Sequence, residues 1–261
     1  MMRTLFDQLQ KPGAIRIEFQ PILQTQNQET SLFALEALAR GPRGTTLERA
    51  DVLFEYARRK GEESRLDLIC IAEIFASSSL LPFDPTISIN VHGSTLSDVD
   101  HFAEKFLSAA ASYEIDPRRL MLEIVEHRVP WTMDAFRATL QKLRDAGVRI
   151  AVDDLGVGAS NFRMIVDCRP DYLKVDRYIV HGCANDRFRA AVLESIVTLA
   201  NACGASAIAE GVEDERDLAV ITGFGIKFVQ GWLYAPSMTP ADLSRSPLLQ
   251  PIATRMKGCT R

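Results

Sequence analysis

Carboxylates and amides recur in this sequence at one kind of position, the last residues of short apolar runs. The run Leu35-Glu36-Ala37-Leu38-Ala39-Arg40 carries Glu36 and Arg40 on one face of a strand, because side chains alternate with period two. Ile87-Ser88-Ile89 ends on Asn90, and Leu120-Met121-Leu122-Glu123-Ile124-Val125-Glu126 carries two carboxylates. Ile150-Ala151-Val152 ends in Asp153-Asp154, and Tyr172-Leu173-Lys174-Val175-Asp176 puts a lysine and an aspartate on one face. Two further runs reach Glu210-Gly211 and Gln230-Gly231. A single strand-end carboxylate is explained equally well by a helix cap or an arginine partner. The same habit on seven strands points instead to one convergent site, because each group would be costly to bury alone.

Clustered carboxylates repel one another and call for cations. Oxygen donors with no Cys or His nearby favour Mg²⁺ or Mn²⁺ over zinc. An aspartate shared between two ions roughly 3.5–4 Å apart is the usual clamp for phosphodiester hydrolysis. Asp153 and Asp154 point to opposite faces of a regular strand, so serving one site requires the strand to end between them, with Gly156 and Gly158 permitting the loop.

The elements that must hold these residues alternate along the chain. Strand-like runs fall at 16–23, 32–40, 86–91, 120–126, 149–155, 171–176, 205–212 and 228–235. Amphipathic stretches lie between most of them. One spans 134–146, with Phe136, Leu140 and Leu143 at helical spacing before Gly147. Another spans 185–203, with Phe188, Val192, Ile196 and Leu199 as the apolar stripe before Gly204. The pattern predicts an α/β fold, a modified TIM-like (β/α)8 barrel with its site at the C-terminal ends of the strands. The first two strands are joined by a link too short for a helical crossover, so one strand is expected to run antiparallel to the rest. The barrel domain is expected over 16–247, with tails at 1–15 and 248–261.

The chain has 261 residues, a net charge of −4, 47% hydrophobic and 25% charged residues. A mildly acidic chain offers no general attraction for DNA, RNA or an anionic membrane, so neither is expected as a partner. The cysteines at 70, 168, 183, 203 and 259 form no CxxC pair and read as reduced structural thiols. The N-terminus carries no apolar run of signal-peptide type and no segment approaches a membrane span, so a cytoplasmic protein is expected.

In order, the motifs FQPI, EALAR, SINV, LEIVE, VDDLGVG, LKVD, AEGVE and QGWLYAP, across residues 19–236, resemble the EAL-domain family of bacterial cyclic di-GMP phosphodiesterases. The resemblance implies a metal-dependent hydrolase that opens cyclic di-GMP to linear pGpG. Glu36, Asn90, Glu123 and Asp153 match the ligands of a first metal, with Asp153 shared. Asp154 matches the second metal, and Glu210 lies beside it as a ligand and candidate base. Lys174 matches the lysine that orients the attacking water, so Glu36, Lys174 and Glu210 form the implied catalytic set. Gln20, Arg40, Asp176, Glu213 and Gln230 match positions lining the dinucleotide pocket, and Arg40 suits a phosphate through its planar fork. Glu126 matches a glutamate that supports the loop after strand five, through which family members commonly form homodimers.

Three segments depart from the family pattern. The loop usually written DDFGTGYSS reads Asp153-Asp154-Leu155-Gly156-Val157-Gly158-Ala159-Ser160-Asn161 here, Val125 replaces the usual Thr, and Gly41-Pro42-Arg43-Gly44 replaces the Trp and Pro-rich continuation after Arg40. These changes keep a second reading open, a non-catalytic regulator that binds cyclic di-GMP or a protein partner. An enolase-type barrel lyase also places carboxylates at strand ends, but the ordered motifs argue against it. The histidines at 92, 101, 127 and 181 read as loop or hydrogen-bonding residues, and Arg58-Arg59-Lys60 as a solvated helix end. Trp232 fits either guanine stacking or core packing.

Overall fold

The computed structural model describes residues 9, 11, 13–26, 29–125, 133–157 and 161–246. Strands β1 (Arg16–Gln26) and β2 (Glu29–Arg40) form an antiparallel hairpin whose register sets Gln20 opposite Glu36. β3 (Thr86–His92), β4 (Leu120–Val125), β5 (Arg149–Leu155), β6 (Tyr172–Val175), β7 (Ser206–Ala209) and β8 (Phe228–Val229) follow, each parallel to the strand before it. The sheet closes in chain order, with β1 antiparallel to both β2 and β8. The expected barrel with one reversed strand is therefore the observed one.

The outer layer holds α1 (Ala50–Lys60), α2 (Glu63–Ser78), α3 (Gly93–Asp98), α4 (Phe102–Ser112), α5 (Met133–Asp145) and α6 (Asn161–Cys168). It continues with α7 (Arg177–Val180), α8 (Arg187–Cys203), α9 (Glu215–Gly223) and α10 (Pro240–Leu243). Their ends follow capping chemistry. Asp186 accepts hydrogen bonds from the Phe188 and Arg189 amides at the start of α8, and Gly204 closes it with φ 72°. The basic run Arg58-Arg59-Lys60 ends α1, with Arg58 and Arg59 both paired to Glu55, as expected of a helix end. The apolar stripe of α8 differs from the expected one. Leu193, Ile196, Val197 and Ala200 are buried, whereas Phe188 is 69% and Val192 42% exposed. The spacing is right in period but rotated in phase, because Leu193, Val197 and Ala200 offer a second apolar face that shares only Ile196 with the expected one. Trp232 is 70% exposed, which removes the core-packing reading. Among the described residues no helix is long and apolar enough to cross a membrane.

Inside the barrel, Ile22, Ala34, Met121, Ala151 and Ile208 form a small apolar cluster separate from the main core, with Phe33, Tyr172 and Phe228 packed against it. The Phe33 ring lies 4.3 Å from Phe228 and 5.3 Å from Tyr172, between centroids. Period two then places a polar residue next along each strand towards the mouth: Gln20 from Ile22, Glu36 from Ala34, Glu123 from Met121, Asp153 from Ala151, Lys174 from Tyr172, Glu210 from Ile208 and Gln230 from Phe228. The apolar plug is thus the floor of the site, and the polar layer stands on it.

Candidate active site

Lys174 is the centre of this layer. Its Nζ lies 2.6 Å from Glu123 Oε2, 2.6 Å from Glu210 Oε1, and 3.4 Å from both Glu36 Oε2 and Asp153 Oδ1. The side chain is 1% exposed, so its charge is tolerable only because carboxylates surround it. Burial alone would depress the lysine; Asp153, Glu123, Glu210 and Glu36 outweigh it and hold the ammonium well above its ordinary pKa.

The carboxylates divide the charge unequally. Burial pushes Glu36 up, but Lys174 and hydrogen bonds from Gln230 and Asn90 overcome it and keep Glu36 below the usual range. Asn90 Nδ2 donates to Glu36 Oε1 at 2.9 Å and Gln230 Nε2 to Oε2 at 2.6 Å. Glu123 receives Lys174 and the hydroxyl of Ser88, yet burial and the nearby Glu36 raise its pKa well above normal. Burial likewise raises Glu210, against the opposing pull of Lys174. Four carboxyl groups thus surround one ammonium, more acidic groups than the lysine can match, and burial holds Glu123 and Glu210 towards their protonated form.

Asp153 and Asp154 reach the mouth by a different route from the one expected. The strand does not end between them; β5 runs on to Leu155. Val152 pairs with Leu173 and Leu155 with Val175, so β5 spends one more residue than β6 over that step, which is a bulge. Asp154 takes the left-handed conformation with φ 54°. Ligand atoms of Asp153, Asp154 and Glu210 then lie within 4.8 Å of one another. Burial first, then the charges of Asp153 and Asp176, push the Asp154 carboxyl up to about 6.

The remaining expected residues form the rim. Gln20 Nε2 donates to the Ala235 carbonyl at 3.1 Å and its Oε1 accepts from Gln230, which links the floor of the pocket to the segment after β8. Arg40 donates through Nε to Glu18 at 3.0 Å. Asp176 caps α7 by accepting from the Tyr178 amide at 2.7 Å, and Glu213 pairs with Arg177 at 3.0 Å. Glu126 and His127 lie outside the described residues, as do 158–160 of the loop after β5. Gly41 sits where a Cβ would meet the Leu47 carbonyl oxygen at 2.0 Å. A cavity of about 240 Å³ lined by Ala37, Ala39, Phe54, Ile74 and Asn90 backs the β2–β3 wall. This apolar cavity lies next to the polar cluster and contains none of its carboxylates.

Several residues of the site escaped the sequence reading. Ser88 shares the face of Asn90 by alternation, a signal that was available. Asp67, 1% exposed, accepts from the His92 amide at 2.9 Å and from the Thr95 hydroxyl, and sits 3.0 Å from His92 Nδ1. It fixes the turn that follows Asn90. Its signal was an aspartate on the apolar stripe it shares with Cys70, Ile71 and Ile74. Glu18 and Ser237, which hold Arg40, left no signal beyond the alternation of Glu18 with Gln20.

Fold and site together define a barrel of TIM type with a lysine-and-carboxylate centre at its C-terminal mouth, where barrel enzymes carry their chemistry. The profile of the EAL domain matches residues 2–237, and the chain belongs to the EAL-domain family. Relatives include the "probable cyclic di-GMP phosphodiesterase PdeA" of Escherichia coli K12, 27% identical over 92% of this chain and 32% of the relative. The "cyclic di-GMP phosphodiesterase PdeL" of the same organism is 32% identical over 60% of this chain and 43% of the relative. The chain therefore spans less than half the length of these relatives. Among solved structures, Klebsiella pneumoniae BlrP1 in a calcium/cy-diGMP complex matches with TM-score 0.77 and 25% identity, over 92% of this chain and 59% of that one. The same protein in a manganese/cy-diGMP complex matches with TM-score 0.76 and 26% identity, over 88% and 58%. A standalone EAL protein of Vibrio cholerae O395 shares the fold, with TM-score 0.75 and 23% identity over 87% and 93%.

Proposed function

We propose that this barrel is a phosphodiesterase that binds two divalent cations, Mg²⁺ or Mn²⁺, and opens cyclic di-GMP to linear pGpG. The observation that carries the proposal is the excess of carboxylates around Lys174 in a member of the EAL-domain family. The donor set fits hard cations. Its oxygens come from Glu36, Glu123, Asp153, Asp154, Glu210 and the Asn90 amide, with no thiol or imidazole among them. Gln230 Oε1, on the side chain that holds Glu36, is in addition a buried acceptor without a hydrogen-bond partner. Glu36, Asn90, Glu123 and Asp153 would hold one ion, and Asp153, Asp154 and Glu210 the other. Bound there, the ions would supply neutralisation of the phosphodiester and a lowered pKa for the attacking water.

The rest of the chemistry belongs to the chain. Lys174 is positioned to orient the incoming water and to stabilise charge on the phosphoryl oxygens. Glu210 is placed to take the proton of that water as its oxygen forms the new bond to phosphorus. The bond from phosphorus to the 3′-oxygen breaks, and that oxygen takes a proton from solvent water as it leaves as the 3′-hydroxyl of pGpG. Gln20, Arg40, Asp176, Glu213 and Gln230 line the pocket that orients the dinucleotide. Incubation with cyclic di-GMP and Mn²⁺, followed by chromatography for pGpG with Glu36→Ala as the control, tests the proposal. Absence of product at high concentration of folded protein refutes it. Nucleotide binding in Ca²⁺ without turnover under any metal would then leave the regulatory reading, which the altered loop after β5 favours.

The chain is further proposed to form a homodimer through that loop and α6. Val157, Phe162 and Val166 are 47%, 75% and 69% exposed, an apolar face of the kind that interfaces cover. Phe162→Glu is expected to convert a dimer to a monomer in light scattering.

A further inference from the structure

Arg40 is held by its own carboxylate. Its Nε donates to Glu18 Oε2 at 3.0 Å, its Nη2 to Ser237 Oγ at 3.0 Å, and its Nη1 to the Ala39 carbonyl at 3.2 Å. Ser237 Oγ in turn donates to the same Glu18 oxygen at 2.7 Å. The arrangement is built into the backbone. Antiparallel pairing sets Glu18 opposite Leu38, one alternation from Arg40. Phe19 and Met238 exchange amide hydrogen bonds of 2.7 and 2.9 Å, which fixes Ser237 beside Glu18. Glu18 and Arg40 side chains are 23% and 24% exposed, so the pair stands at the rim and reaches water.

A guanidinium has five N–H donors, and three are spent on Glu18, Ser237 and Ala39. Two remain for a ligand. The pocket floor is already crowded with carboxylates, and the cations proposed there serve one phosphodiester of a ligand that carries two. Arg40 is a rim cation that can take the other. Its charge, however, is matched by Glu18 at contact distance, so an approaching phosphate meets a neutral pair and the repulsion of a nearby carboxylate. Arg40 is thereby pre-oriented and weakened at once.

We propose that Glu18 is a positioning and specificity residue that restrains the grip of Arg40 on a phosphodiester, setting ligand affinity without touching the metals. The proposal rests on the cyclic di-GMP reading for its natural ligand, but its physical content is the attraction of Arg40 for any phosphodiester anion.

The test uses Glu18→Gln, which keeps the side-chain shape and the acceptor for Arg40 while removing the charge, and Arg40→Gln alone and combined with it. In calorimetry with Ca²⁺, E18Q is expected to bind cyclic di-GMP three- to tenfold more tightly than the parent. Its dissociation constant should also rise more steeply with salt, as an unmatched cation requires. The double variant should lose the gain. In turnover with Mn²⁺, KM should fall by a similar factor with kcat within twofold, a split that simple loss of packing does not produce. In parallel, dimethyl phosphate is titrated in EDTA while the Arg40 Nε–H resonance is followed by NMR. E18Q should again bind more tightly. Ser237→Ala, which loosens the same hub without changing charge, guards against a folding defect and should raise affinity less. Unchanged or weakened binding in E18Q with both probes overturns the proposal. Tighter binding of dimethyl phosphate with no cyclic di-GMP binding by any form would uphold the role of Glu18 and remove the substrate reading instead.

Discussion

Replacing Lys174 by Met tests the electrostatic logic of the site without any substrate. The ammonium is buried, with carboxylate oxygens at 2.6 Å from Glu123 and Glu210 and at 3.4 Å from Glu36 and Asp153. Removing one partner of a buried ion pair costs about 3–5 kcal/mol, because the remaining charge is left uncompensated. In a barrel of this size that corresponds to a fall in Tm of roughly 6–20 °C in EDTA at pH 8. The loss must also depend on pH, with a sign that follows from the carboxylates. Lys174, held above its ordinary value, is charged at both pH 5 and pH 8, so it contributes no slope between them. Glu123 and Glu210 are already raised by burial and are pulled down by Lys174, so they rise further in the variant. A carboxyl with a raised pKa binds its proton in the folded state before the unfolded one, so stability falls as pH rises from the ordinary glutamate range through the raised value. The penalty of Lys174→Met should accordingly be large at pH 8 and shrink to less than half at pH 5. Mn²⁺ at pH 8 should restore more stability to the variant than it adds to the parent. Urea denaturation at the two pH values measures this directly. An equal loss at pH 5 and pH 8 would falsify the picture of a lysine serving as the internal counter-ion of four carboxylates.

Two further outcomes follow from the same geometry. Burial and the charges of Asp153 and Asp176 push the Asp154 carboxyl up to about 6, so cation affinity should drop as pH falls from 7 to 5; Asp154→Asn should weaken binding and make that drop smaller in a Mn²⁺ titration, Glu210 keeping the remainder. Gln230→Ala removes the 2.6 Å bond that orients Glu36, and support of this kind typically accounts for roughly 10–100-fold in metal affinity or activity. Calorimetry with Mn²⁺ checks the second case, and unchanged affinity would mean that Asn90 and Lys174 suffice to hold Glu36.

The strands and the polar layer were legible because period-two alternation is a strong signal when one face is an apolar plug and the next position is charged. Glu36, Glu123, Lys174 and Gln230 form one hydrogen-bonded and ion-paired cluster, as strand-end position implied, and Gln20, which only the family resemblance had pointed to, joins it through Gln230. The route of Asp154 was hidden because a bulge is a property of two paired strands, and a single strand read alone gives no count of its partner. The phase of α8 was hidden because Phe188, Val192, Leu193, Ile196 and Val197 allow two apolar faces, and packing chose the one with Leu193 and Val197. Partners far apart in sequence, such as Glu18 with Ser237 or Asp67 with His92, become visible only when register and crossover are known.

The bulge also explains where the altered loop should act first. Asp153 still alternates with Ala151 and stands on the plug, whereas Asp154 depends on a left-handed residue in mid-strand. Two residues on, Gly156 has φ 106°, and a Cβ there would lie 2.6 Å from Ile179 Cγ1 of α7. The Leu155 carbonyl accepts from the Asp176 amide at 3.1 Å, so the end of β5 is seated on α7 through backbone and a glycine contact together. A substitution in this seat therefore turns Asp154 before it disturbs Asp153, Glu36 or Glu123. Gly156→Ala, strained in both φ and contact, should cost about 1–3 kcal/mol and lower the number of Mn²⁺ ions bound from two to one. Loss of both ions together would refute this ordering, because it would mean that the bulge holds Asp153 as well as Asp154.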